Sequence, residues 1–222
     1  MTPRWAFGLI AFVALAGTGR AFDAVPVDGL LPDNDFFRAS TCGAAPEGLC
    51  KGPVLTWPKR DLTLAIVPTE VGTGLIFGML LSATVDYALL QINRAGSGLT
   101  ITRIAGPGAD IRLRLTDAAE GSTLPDVHGL SGPGEMGVGF TTVWSTRDHQ
   151  ITDASILISS TITPHDIVSV VLEEIFQATG PVFDIDSAAY EGVSILSQTS
   201  NATVTIAGQD ARLLRHLYPP EP

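Results

Sequence analysis

The 222-residue chain carries 13 Lys and Arg against 23 Asp and Glu, a formal net charge of −10. Such an acidic surface repels phosphate backbones and anionic lipid headgroups, so nucleic acid is not an expected partner. The length suggests one domain with processing segments, or two small domains.

Residues 1–21 read as a secretory signal. Arg4 supplies the basic region, Trp5 to Gly17 the apolar run, and Gly19-Arg20-Ala21 the small-residue cleavage site. The run falls short of the ~20 apolar residues needed to cross a bilayer, so cleavage and no membrane span are expected. Removing Arg4 and Arg20 takes the charge from −10 to −12. No cysteine follows the run to accept a lipid. The expected location is periplasmic or secreted.

Residues 22–56 are rich in Pro, Gly and Asp and form an N-terminal arm with few periodic apolar positions. Its loop-like TCGAAPEGLC holds both cysteines, and in an exported chain Cys42 and Cys50 are expected to pair. In RDLTLAIVP, Leu62, Leu64 and Ile66 alternate as in a half-buried strand. From Gly74 to Asn93 two apolar stripes recur at near-helical spacing: Ile76, Leu80, Tyr87 and Leu90, and Leu81, Val85, Leu89 and Ile92. Ser82, Thr84, Asp86 and Gln91 interrupt them, which predicts a helix laid on a sheet. Strands are expected at LTITRI and DIRLRL, a loop over 117–135, then strands at MGVGFTTVW and ASILIS. GPGEMG matches a dinucleotide-loop pattern by letters only, because a strand follows it where that site requires a helix. Thr163-Pro164-His165-Asp166 opens a helix expected to run to Thr179 and stop at Gly180-Pro181, and a last helix is expected over 207–217. The fold class is α+β, mixed α/β, with helices against one twisted sheet.

The order of these elements resembles the catalytic domain of metzincins, and of matrixins in particular, over residues 57–222. RDLTLAIVP resembles the opening strand, GADIRLRL an early strand, ASILISS the edge strand and AGQDARLLRHLYPP the closing helix. VLEEIFQATG resembles the helix H-E-x-x-H-x-x-G-x-x-H, whose three histidines hold zinc while the glutamate activates water. On that resemblance the ligand positions hold Glu173, Gln177 and Phe183. Glu174 stands at the general-base position, Gly180 at the turn, and Ser194-Ile195-Leu196 at the Met-turn. The motif E-E-x-x-Q-x-x-G also resembles that of a bacterial family of exported zincin-like domains to which no activity is assigned.

The substitutions imply loss of zinc catalysis. Phenylalanine cannot ligate, glutamine is a poor zinc donor, and none of His128, His149, His165 or His216 falls at a ligand position. The expectation is an exported metzincin-like domain with a binding or scaffolding role in the cell envelope, partnered by a protein or peptide and needing no cofactor. The alternative is a hydrolase using Glu174 with an atypical metal. Glu173, Gln177, Asp184 and Asp186 offer oxygen donors suited to calcium or magnesium rather than zinc. A structural alternative has Glu173 and Gln177 hydrogen-bonding to each other, and Asp186 or Ser187 capping a helix.

Overall fold

A computed structural model describes residues 24–72 and 74–221; the expected signal at 1–21 lies outside the described residues. In chain order it contains β1 (Val25–Pro26), α1 (Asp33–Cys42), β2 (Asp61–Ile66), α2 (Leu75–Asn93), β3 (Thr100–Arg103) and β4 (Ile111–Thr116). These are followed by β5 (Thr123–Leu124), β6 (Gly134–Glu135), β7 (Gly139–Ser145), β8 (Ile151–Ser159), α3 (Ile167–Gln177), β9 (Ile185–Asp186), a 3-10 turn (Ala188–Tyr190) and α4 (Gly208–Leu217).

The main sheet has the order β3-β2-β4-β8-β7, parallel throughout except for β7, which runs antiparallel to β8. This is the expected α+β class. Parallel neighbours need a crossover, and α2 supplies it between β2 and β3. ASILIS, expected at the edge, lies inside the sheet. Every residue from Ala154 to Ser159 is buried, because α3 packs against one face and the 117–137 excursion covers the other. The edge strands are β3 and β7. On the far face Leu124, Met136, Phe140 and Leu157 form a second small core, and an ion pair between Arg112 and Asp153 holds β4 to β8 beneath the excursion.

Of the two stripes on α2, only Leu81, Val85, Leu89 and Ile92 enter the core; Ile76 is 83% exposed. The helix is long and apolar enough to cross a membrane by those criteria alone. Here it packs against β3 and α3.

The N-terminal arm holds more structure than its composition suggests. Helix α1 follows Pro32, carries Asp33 and Asp35 in its first turn where the helix dipole favours acids, and ends at left-handed Gly43. Cys42 is its last residue, not a loop residue, and is bonded to Cys50. Phe36 and Ala39 join the core and α1 packs on α4. The carboxylate of Asp33 takes both Nε and Nη2 of Arg212, at 2.6 and 2.9 Å. β1 pairs with β9, bringing the arm beside the loop that follows α3.

Candidate functional site

Helix α3 begins with the expected pair. The Asp166 N–H donates to Thr163 Oγ1 at 3.3 Å, and the Thr163 hydroxyl donates to Asp166 Oδ2 at 2.7 Å. Residues 164–166 form a turn and the regular helix starts at Ile167, later than expected. It ends at Gln177, two residues before the expected Thr179, and side chains from outside take the carbonyls of the next two residues. The Trp57 indole donates to the Ala178 carbonyl at 2.9 Å, and the Tyr218 hydroxyl donates to that of Thr179. Gly180 turns the chain with φ +127°, and a Cβ there would lie 2.3 Å from the Leu55 carbonyl oxygen. Only glycine combines that dihedral with that approach.

The chain emerging from Gly180 returns Asp184 to the helix. Asp184 is buried, accepts the Gln177 Nε2–H at 2.8 Å, and shares a hydrogen bond with the Glu173 carboxyl. Glu173 and Gln177 therefore meet through Asp184, not directly as expected. Two carboxyls in hydrogen-bond contact must hold a proton between them. Glu173 is half-buried. Desolvation, followed by the charges of Asp184 and Glu174, drives its pKa well above 4.5. Burial also lifts Asp184 to about 7, opposed by its bonds from Gln177 and Glu173.

Glu174 is 4% exposed and points elsewhere, toward β7. A Cβ on Gly139 would lie 2.3 Å from its Oε1, and the Thr141 hydroxyl donates to its main-chain carbonyl at 3.0 Å. Burial raises its pKa to about 8, with Thr141 opposing the shift and Asp184 adding to it. Glu174 Oε2 and Gln177 Oε1 are buried with no hydrogen-bond partner among the described residues.

Phe183, at the third ligand position, is turned away from this cluster. Its ring fills the space where a Cβ of Gly43 would stand, 2.6 Å from the nearest ring carbon, and its N–H donates to the Ser40 carbonyl at 3.1 Å. Asp186 is exposed and does not join Glu173, Gln177 and Asp184, so the four expected oxygen donors do not assemble into one calcium or magnesium site. Among the described residues no group of three or more His, Cys, Asp and Glu converges to hold a metal ion. Glu173 and Asp184 bonded together, the Gln177 amide donating its hydrogen, and a phenyl ring at the third position do not fit zinc. Ser187, not Asp186, caps the following 3-10 turn, its Oγ accepting from the Ala189 N–H at 3.4 Å.

Ser194-Ile195-Leu196 lies under the cluster and is tied to α4. Buried Asp210 accepts the Ser194 hydroxyl at 2.6 Å and the Ile195 N–H at 2.9 Å. Burial raises Asp210 to about 6, those two bonds opposing. The Leu196 carbonyl takes the Ile185 N–H at 2.7 Å, linking the loop to β9.

Sequence reasoning missed Thr141 and Gly139, which wall in Glu174, and the anchoring role of Asp210. The cue for Asp210 was an acid within the amphipathic closing helix. Nothing local marked Gly139. No protein-family model matches the chain, and a search of curated proteins returns no match.

Proposed function

We propose that the protein is an exported, non-catalytic binding domain of metzincin-like architecture, which holds an extended peptide along β7. The observation that carries the loss of catalysis is the closure of the centre. Glu173 and Gln177 are both engaged by Asp184, and Phe183 is packed on Gly43. The Cys42–Cys50 bond is consistent with an oxidising compartment.

The register of β7 supports a peptide partner. The Ser159 N–H donates to the Val138 carbonyl at 2.9 Å, so alternate residues from 138 onward bond to β8. The main-chain groups of Thr141 and Val143 then face outward and have no partner among the described residues. An unpaired edge of this kind accepts an added strand, with main-chain bonds giving affinity.

Metal analysis after purification without chelators, combined with a peptidase assay, tests the reading. No stoichiometric zinc and no cleavage are expected. One tightly bound zinc per chain with peptidase activity would overturn it. A second reading, a hydrolase using Glu174, is favoured by the unpartnered Oε2 of a carboxyl that exchanges its proton near neutral pH. It requires Glu174→Gln to abolish a turnover that the wild type displays.

A further inference from the structure

Beside the β1–β9 pair, away from β7, lies an open groove of about 710 Å³. Val27, Leu30 and Leu31 give it apolar walls, together with three prolines, and Leu30 is 62% exposed. Asp28, Asp35 and Asp186 also line it. None of the three takes part in an ion pair among the described residues.

The nearby cations are committed elsewhere. Arg38 donates to the Gly48 carbonyl at 2.6 Å, Lys51 stands over the Phe183 ring, and Arg212 is held by Asp33. The groove is also held open by the fold. The Val25 N–H donates to the Asp184 carbonyl at 2.8 Å and the Val27 N–H to that of Asp186 at 3.1 Å, while the prolines restrict the walls. A rigid apolar trough with unpaired carboxylates complements a ligand that is apolar along its body and cationic at intervals.

We propose that this groove seats a short segment of a protein partner in which Lys or Arg flanks apolar residues. Its volume, within the ~300–1,000 Å³ usual for ligand sites, suits a few residues and not a folded surface. Partner selection then rests on a charge pattern opposite to the protein's own.

The test uses the purified protein and two fluorescein-labelled, end-blocked heptapeptides, one alternating Lys with Leu and Pro, the other with Glu in place of Lys. Fluorescence anisotropy should show the cationic peptide binding, weakening as salt rises, and the acidic one failing to bind. Asp28→Asn/Asp35→Asn/Asp186→Asn should lower the cationic peptide's affinity by roughly tenfold at low salt. Glu120→Gln/Asp126→Asn/Asp148→Asn removes the same charge outside the groove and should leave affinity within about twofold. Leu30→Ser should weaken binding without altering its salt dependence. Equal losses in the two triple variants would mean attraction to the acidic surface at large and would overturn the proposal. So would absence of binding by the cationic peptide to the folded wild type, checked by circular dichroism.

Discussion

Replacing Glu174 by glutamine keeps the shape of the side chain and removes its ionisation. The folded protein holds this carboxyl's proton up to about pH 8, against 4.5 for the exposed group. A raised acid pKa means that the fold binds the proton more tightly than the unfolded chain does. Glu174's contribution to stability is therefore complete below about pH 4.5, falls as pH rises through the interval, and is exhausted above about 8. At 1.36 kcal/mol per pH unit, the interval amounts to about 4–5 kcal/mol. The side chain is only 4% exposed, so solvent screening reduces this little. Against a typical total of ~5–15 kcal/mol, the effect is large enough to measure. Urea unfolding followed by tryptophan fluorescence at several pH values between about 5 and 8 provides the assay. Wild type should lose about 1.4 kcal/mol per pH unit more steeply than Glu174→Gln, and the variant should be the more stable protein at about pH 8. Asp184 and Glu173 contribute a slope of the same sign to both proteins, and because Glu174's charge acts on Glu173 and Asp184's on Glu174, the difference reports Glu174 together with that mutual repulsion. Parallel profiles would refute the argument that this carboxyl is held neutral.

Other substitutions probe the supports of the centre. Gly180→Ala should cost at least about 2 kcal/mol in chemical denaturation, because alanine is strained at φ +127° and its Cβ meets the Leu55 carbonyl. Asp210→Asn should cost about 1.5–3 kcal/mol at neutral pH. It should also speed amide exchange at Ile195, whose N–H bonds the carboxylate; unchanged exchange would mean that α4 does not anchor this loop. Cys42→Ser/Cys50→Ser should lower stability by about 2–3 kcal/mol in the chain-entropy model, read as a drop in Tm that reducing agent reproduces in the wild type.

Residues 163–180 show how far local chemistry reaches. The Thr163–Asp166 pair, the apolar run and Gly180-Pro181 mark a helix with a beginning and an end. The helix ends earlier than expected, and Trp57 and Tyr218, 121 and 39 positions away from the carbonyls they bond, take the two residues just past its end. Helix α1 escaped notice because its apolar residues are few, although Pro32, Asp33, Asp35 and Gly43 bracket it; its stability comes from packing on α4 and from the disulfide. On α2 the letters allowed two apolar stripes, and only contact with the sheet and α3 chose between them.

The sequence by itself determined the class of fold, the pairing of Cys42 with Cys50, the glycine stop of α3 and the presence of Glu173, Gln177 and Phe183 where the zincin pattern has histidines. Those features follow from spacing, dihedral preference and residue chemistry, which are properties of neighbouring residues. Tertiary structure alone decided that Glu173 meets Asp184, that Glu174 is walled in by Gly139, and that Phe183 faces the disulfide loop. Carboxyl pairing depends on distances across the turn at Gly180, and proton affinity depends on how completely distant segments exclude water. Neither quantity is encoded within one stretch of chain.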